Sequence, residues 1–194
     1  MRVGIGSTVL AKGLHSGHID GIGTYTSELL KAYDRLDDQD AYMPVVFGAK
    51  RRAAIPKAQA LNGPYSASAL VSAVSGLPFL GSSNLAKSID LFHATDHHIP
   101  KLGKTPVIAT IMDVIGLRHP EWVNPTFRGL KNRLFAKATT WAESIVTISD
   151  FSALDIADCL GVDPRKIESI PLGVDNAYFD VVAEPARQEV RKRY

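Results

Sequence analysis

The stretch IDLFHATDHHIPKLGKTPVIATIMD (residues 89–113) contains two short apolar runs, and polar residues follow each of them at once. The runs are IDLFHA (89–94) and TPVIATI (105–111), and a similar run, SIVTIS, occupies residues 144–149. Short apolar runs between polar or glycine boundaries are typical of strands that are buried on both faces. We therefore predict three strands of a buried sheet.

Helical patterns lie on either side of these runs, because apolar residues recur there at spacings of three and four. The patterns cover residues 21–36, 124–142 and 150–161. The residues predicted to face the core are, pattern by pattern, Ile22, Tyr25, Leu29, Tyr33 and Leu36; Phe127, Leu130, Leu134, Ala138 and Trp141; and Phe151, Leu154, Ala157 and Leu160.

Three residues predict where these helices begin and end. Asn124 is suited to cap the second helix, and Pro125 is suited to its first helical position. Gly161 is placed to close the third helix in a left-handed conformation.

Three further strands are predicted nearer the ends of the chain. Residues 2–10 contain an apolar run, which we expect to be a strand followed by a long loop. Residues 41–49 predict a second strand, in which Pro44 must lie at an edge or among the first residues. Residues 166–170 predict a sixth strand.

The segment between residues 50 and 87 is rich in Ala, Ser, Gly and Pro, and it predicts loop with one short helix near residues 66–75. The charged tail from residue 184 onward is either a helix or the beginning of another element. Alternating strands and helices predict an α/β protein, with a Rossmann-like parallel sheet and helices on both faces.

The composition excludes several classes of protein. The 194 residues include 22 Lys and Arg against 20 Asp and Glu, a balance that does not favour nucleic-acid binding. The single cysteine, Cys159, excludes an internal disulfide and a multi-thiolate metal site, and it favours a reducing cytoplasm. The sequence has no convincing signal peptide and no apolar stretch near the ~18 residues of a membrane span.

Polar residues gather where the predicted strands end, which is where parallel sheets bind ligands. These residues are His93, Asp96, His97, His98, Asp113, Arg118 and His119. A metal site is a weak hypothesis, because the ligand spacing of a zinc site is missing. Two structural alternatives stay open: Asp113 caps a helix, and His93 is hydrogen-bonded in the core.

The glycine pair in HIDGIGTYTSELLKAY (18–33) precedes a helical pattern directly. A dinucleotide fingerprint needs a third glycine, and the two GIG matches have Val9 and Thr26 at that position. Both matches therefore fail. An anion held by the first helical turn and a simple tight corner both remain open as interpretations.

Taken together, five blocks of the sequence resemble the N-terminal domain of GT-B glycosyltransferases of family 4, which are retaining enzymes that use nucleotide sugars. The resemblance implies that residues 1–180 form an acceptor-binding domain and that residues 181–194 begin a linker. It also implies a donor-binding domain outside this sequence, without which the chain is expected to be inactive. The blocks are GIGTYTSELLKAY, DLFHATDHHIP, PVIATIMDVIGLRHPEW, IVTISDFSALDI and KIESIPLGVDNAYF.

The resemblance also implies roles for individual residues. Gly21, Gly23 and Thr24 would meet the donor phosphates, and no metal or other cofactor would be required. The acceptor would lie against a rim formed by His93, Asp96, His97, Asp113, Arg118 and His119. Asp113 and Arg118 would orient the acceptor or the local loop. Asp113 is the candidate catalytic residue, and no residue is assigned as a general base.

Met112 departs from the family pattern, which usually has histidine at this position. A thioether can neither donate nor accept a proton in catalysis. Any contribution of that histidine is absent here, or it comes from His93, His97 or His119.

Two other functions fit the same residues: a non-catalytic module that binds carbohydrate or lipid, and half of a nucleotide-sugar epimerase. The resemblance favours a cytoplasmic bacterial enzyme of surface polysaccharide or glycolipid assembly. Peripheral contact with the inner membrane is a further hypothesis, since basic residues cluster at two places, although such clusters are commonly solvated faces. The clusters are Arg51, Arg52 and Lys57, and Arg128, Lys131, Arg133 and Lys137.

Overall fold

The computed structural model describes residues 1–48, 54–122 and 128–194. Within these ranges seven strands form one parallel sheet in the order β3-β2-β1-β4-β5-β6-β7. The predicted α/β class and the parallel sheet are confirmed. The strands are β1 (Arg2–Gly6), β2 (Ala41–Phe47), β3 (Gln59–Leu61), β4 (Leu91–Ala94), β5 (Val107–Thr110), β6 (Ser144–Thr147) and β7 (Ile167–Ser169).

Helices cover both faces of this sheet. Alternate residues of β2 belong to different apolar clusters: Val46 packs with Leu10 and Ala11, whereas Val45 and Phe47 belong to the larger cluster on the other face. Among the described helices, none is long and apolar enough to span a membrane. The helices are α1 (Thr8–Ser16), α2 (Gly21–Tyr33), α3 (Tyr65–Ser75), α4 (Ser82–Ser88), α5 (Ile115–Arg118), α6 (Arg128–Thr139), α7 (Asp150–Leu160) and α8 (Glu184–Arg193).

The first apolar run differs from its prediction. The strand ends at Gly6, and the helix α1 begins at Thr8, where a long loop was expected. A distant residue stabilises this early helix, because the amide of Val9 donates to the carboxylate of Asp96 at 3.0 Å. The hydroxyl of Thr8 also accepts from the amide of Phe47 at 3.0 Å. Asp96 and Phe47 are both distant from α1 in the sequence, so the local pattern does not reveal these contacts.

Pro44 is the fourth of the seven residues of β2, which is an inner strand, so the predicted position at an edge or among the first residues is not confirmed. Its register partner in β1 is Ile5, and the pairing of β2 with β3 begins one residue later, at Val45. Pro44 therefore lies in the part of β2 that β3 does not flank. The predicted loop contains two elements that the sequence analysis missed, β3 and α4, and the predicted sixth strand is consequently β7.

The helix α7 shows an error in the predicted stripe. Phe151 and Leu154 were expected to face the core, but 74% and 72% of their surface is exposed. Ile156 is fully buried instead, so the inward face is rotated from the predicted one. The predicted left-handed end at Gly161 is confirmed by its φ of 63°.

The stripes of the other two helices are confirmed only in part. In α6, Ala138 is buried, but 49% of Leu130 is exposed; Asn124, Pro125 and Phe127 lie outside the described residues. In α2, Gly23 and Thr26 are the buried positions, and Leu36 is exposed beyond the helix end.

The inward face of α7 can be tested by two substitutions in one helix. Ile156→Ala should lower the free energy of unfolding by about 2–5 kcal/mol, because it opens a cavity in the core. Leu154→Ala should change it by less than about 0.5 kcal/mol, because this side chain is exposed. Urea unfolding measures both, and equal losses would contradict the assigned face.

Candidate functional site

A cleft of about 310 Å³ opens where the predicted strand ends meet. It lies beyond the carboxyl ends of β4 and β5 and is bounded on the other side by α5 and α6. Of the residues predicted from sequence, the cleft brings together Asp96, His97 and Asp113. Its lining also includes Ile22, Thr95, Thr110, Ile111, Met112, Val114, Gly116, Leu117, Asn132 and Phe135.

Asp96 is a buried carboxylate at the floor of this cleft. Its Oδ1 accepts from the backbone amide and from Nδ1 of His98, both at 2.8 Å, and its Oδ2 accepts from the amide of Val9. Burial by itself raises the pKa of Asp96, but the attraction and hydrogen bonds of His98 outweigh this effect and hold the pKa at about 2. Asp96 is therefore an ionised carboxylate that fixes the loop after β4.

His93 is partly buried in the sheet and is absent from the lining of the cleft. Its Nε2 lies 2.8 Å from the hydroxyl of Thr110 on the neighbouring strand. Burial lowers the pKa of His93 to about 4, so the ring is neutral at pH 7. This position matches the structural alternative, a histidine hydrogen-bonded in the core.

His97 lines the cleft together with Met112. Desolvation lowers the pKa of His97, and the adjacent ring of His98, 4.3 Å away between centroids, acts in the same direction. Of the three histidines considered as replacements for the family histidine, His97 is the one that lines this cleft.

Asp113 lies at the mouth of the cleft with an exposed side chain. Its Oδ1 accepts from the amide of Ile115, the first residue of α5, at 3.1 Å. This bond fixes one carboxylate oxygen in the turn before the helix. A carboxylate has further acceptor sites, so the same side chain can also meet a ligand.

Arg118 and His119 contact residues outside the cleft. The guanidinium of Arg118 donates to Asp155 at 2.8 Å and to Asp158 at 2.7 Å, and it thereby ties α5 to α7. The ring of His119 stacks on Trp122, with 4.0 Å between centroids. Neither residue lines the cleft. With His93 in the sheet, three of the six predicted rim residues come together there, namely Asp96, His97 and Asp113.

The glycine pair forms the first turn of α2, and this turn already holds a carboxylate. Asp20 caps the helix: its Oδ1 accepts from the amide of Gly23 at 2.8 Å, and its carbonyl accepts from the amide of Thr24 at 2.9 Å. A side chain at Gly21 would meet nothing within 4 Å. A Cβ at Gly23 would lie 2.8 Å from Cγ2 of Ile19, so close packing explains this glycine.

Several residues of the cleft were not predicted from the sequence. Thr95 lies inside the quoted stretch between two predicted site residues, and its position was the signal that could have identified it. Asn132 and Phe135 lie on α6, where nothing in the helical pattern distinguishes them as ligand contacts.

A larger cavity of about 850 Å³ adjoins the cleft. It shares His97, Asn132 and Phe135 with the cleft and extends between α3 and α6. Most of the other described residues that line the cavity are apolar, aromatic or glycine. The remaining described residues that line it are Phe47, Gly48, Gly63, Pro64, Tyr65, Ser66, His98, Lys131 and Leu134.

In the part of the chain that the structure describes, no group of three or more His, Cys, Asp or Glu side chains is arranged to hold an ion. The basic residues Arg51 and Arg52, which were considered for membrane contact, lie outside the described residues.

The stability of the fold should depend on pH through His93. In the unfolded chain its pKa returns to about 6.5, so between pH 6.5 and 4 the unfolded state binds more protons. Acidification through this window should therefore lower the free energy of unfolding by up to about 3 kcal/mol. His93→Gln should reduce this loss without abolishing it, because the pKa of His97 is lowered too. Urea unfolding at pH 7 and pH 4 measures the difference; an unchanged pH dependence in the variant would contradict the assignment.

Comparison with known proteins identifies relatives at the level of family and fold. The sequence model of Glycosyltransferase Family 4 matches residues 19–178. None of the curated proteins matches the sequence significantly.

Solved structures match the chain over its full length. HepE from Anabaena, in complex with UDP, has 15% sequence identity and a TM-score of 0.59, and the match covers 99% of this chain and 49% of HepE. Its complex with UDP and glucose has 13% sequence identity and a TM-score of 0.61, and the match covers 100% of this chain and 50% of HepE. A glycosyltransferase from Rickettsia africae has 13% sequence identity and a TM-score of 0.43, and the match covers 100% of this chain and 48% of the Rickettsia protein. The chain spans about half the length of these structures, and the HepE matches confirm the fold of one GT-B half.

Proposed function

Because the chain belongs to Glycosyltransferase Family 4, we propose that it is the acceptor-binding domain of a retaining enzyme that uses a nucleotide sugar. In the complete enzyme, a second domain would hold most of the donor. The cleft beyond β4 and β5 would hold the acceptor. The family match favours transfer over the epimerase alternative.

The observation that carries this proposal is the chemistry of the cleft. It combines an exposed carboxylate at Asp113, an imidazole at His97 and an amide at Asn132. Such groups accept and donate the hydrogen bonds that sugar hydroxyls require. The cleft also lies beyond the carboxyl ends of parallel strands, where α/β proteins bind ligands.

Asp113 is the best candidate to orient the acceptor. Its bond to the amide of Ile115 holds the carboxylate in place before a ligand arrives, which reduces the entropy lost on binding. Arg118 acts at a distance, because its ion pairs with Asp155 and Asp158 position α5 and the loop that carries Asp113. No residue of the cleft is assigned as the catalytic base.

Donor contact at the start of α2 stays part of the proposal. HepE was solved with UDP, and we infer that a nucleoside diphosphate is also the leaving group here. The carboxylate of Asp20 occupies the amide of Gly23, so a phosphate must either displace it or approach beside Gly21. The open space around Gly21 allows such an approach, and the helix dipole favours an anion there.

Acceptor binding is tested with the protein expressed from the complete reading frame that contains this chain. A panel of nucleotide sugars, combined with acceptor extracts from the host, should identify a sugar that is transferred. Asp113→Ala should then lower the transfer rate at limiting acceptor by about 10- to 100-fold, because a positioning hydrogen bond is lost. Asp37→Ala, which removes an exposed carboxylate elsewhere, is the control. The role of Asp113 is wrong if both variants keep wild-type rates, and the transferase proposal is wrong if no sugar is transferred.

Donor contact is tested by Gly21→Val in the same protein. A Cβ at this exposed position meets nothing within 4 Å, so the thermal midpoint should stay within a few degrees. The branched side chain should obstruct a phosphate at the first turn and raise the KM for the nucleotide sugar by about fivefold or more. Ser16→Val, at the exposed end of α1, is the control. An unchanged KM would show that donor phosphates do not approach Gly21.

A further inference from the structure

We propose that the larger cavity, between α3 and α6, binds the apolar tail of an acceptor that is a lipid-linked phosphate. This inference rests on the proposed function and narrows it, since it assigns the acceptor to the lipid-linked compounds rather than to free saccharides. The tail would occupy the cavity, the phosphate would lie beside Lys131, and the part that receives the sugar would reach the cleft.

The size and the lining of the cavity suit an apolar chain. Its volume of about 850 Å³ lies within the range of sites that bury a small organic molecule. Phe47, Tyr65, Leu134 and Phe135 contribute to its apolar lining. A free saccharide would leave this surface uncovered, whereas a hydrocarbon chain would remove it from water.

The aromatic wall is fixed before any ligand binds. The hydroxyl of Tyr65 donates to the carbonyl of Ile99 at 3.0 Å. The ring of Tyr65 packs against Phe47 at 5.2 Å and against His98 at 4.8 Å between centroids. Because Asp96 in turn holds His98, the wall has little freedom to collapse into the cavity.

The cavity adjoins the cleft. His97, Asn132 and Phe135 line both spaces, so a ligand that extends from one to the other would pass these three residues. The cleft is the more polar part, with Asp96 and Asp113, and the cavity is the more apolar part. An amphiphilic molecule matches this division: its apolar tail would lie in the cavity and its polar end in the cleft.

The charge beside the cavity fits an anionic linkage. Lys131 lines the cavity with an exposed side chain, and no Asp or Glu is among the described residues that line it. The helix that carries Lys131 contains four basic residues and no acidic one. A phosphate between tail and sugar would therefore meet an attractive potential.

Apolar surface continues outward from the cavity along α3. Ser66 lines the cavity, and Leu70 and Val74 follow at intervals of four residues on the same face of the helix. Their exposed fractions are 43% and 83%, which is high for aliphatic side chains. A tail longer than the cavity could lie across them.

Direct binding tests the tail site on the 194-residue chain itself. Farnesyl phosphate, titrated by calorimetry below its micelle concentration, should bind. Farnesol should bind more weakly, and inorganic phosphate should not bind measurably. Ser66→Trp should weaken farnesyl phosphate binding by about tenfold or more, because Ser66 lines the cavity and the added indole would obstruct part of it. Ala67→Trp adds the same indole at the neighbouring exposed residue, outside the cavity, and binding should stay within about twofold.

A second pair of variants tests the phosphate contact without altering the apolar wall. Lys131→Ala should weaken farnesyl phosphate binding by about three- to tenfold and leave farnesol binding unchanged. Arg133→Ala removes an equal charge from the same helix outside the cavity and should have little effect. Both side chains are exposed, so these variants remain informative even if Ser66→Trp fails to fold.

The outcomes separate this inference from the proposed function. Equal binding by the two Trp variants, or inorganic phosphate that binds as tightly as farnesyl phosphate, would overturn the tail site. If the complete protein transferred a sugar to a tail-free saccharide while farnesyl phosphate failed to bind, the function would stand and the tail site would fall. If farnesyl phosphate bound but the complete protein transferred no sugar, the tail site would stand and the proposed function would fall.

Discussion

The buried carboxylate of Asp96 is the interaction on which the site depends. It joins the first turn of α1, through the amide of Val9, to the loop after β4, through the amide and ring of His98. Removing an ionised carboxylate from water costs free energy unless hydrogen bonds replace its hydration. Asp96 obtains three such bonds, and in return it fixes the floor of the cleft and one wall of the larger cavity.

The parallel sheet explains why two different spaces meet at this place. The carboxyl ends of β4 and β5 are adjacent, so the polar residues that follow them form one edge. The outer wall comes from α6, which contributes Asn132 and Phe135 to both spaces. The polar cleft and the apolar cavity are thus two parts of one surface, and we infer that the two parts of an amphiphilic acceptor bind there.

Much of the fold and part of the site were predictable, because the evidence for them is local. Buried strands such as 144–149 appear as short apolar runs, and Gly161 marks the end of a helix. The exposed Phe151 and Leu154 were mispredicted because helical periodicity does not specify which side of an apolar stripe meets the sheet. The three-residue strand β3 was missed because it is too short to have a period and depends on pairing with β2.

The sequence by itself determined the class of fold, and the order of five blocks carried the resemblance to the family. It also located the polar residues at the strand ends, since each of these features is encoded in short-range patterns and in their order. Only the tertiary structure decided what each polar residue does. It placed His93 in the sheet beside Thr110, turned Arg118 toward α7, and left Asp113 and His97 at the cleft. The physical reason is that a side chain's role depends on its spatial neighbours, and those of Arg118 lie 37 and 40 residues away in the chain.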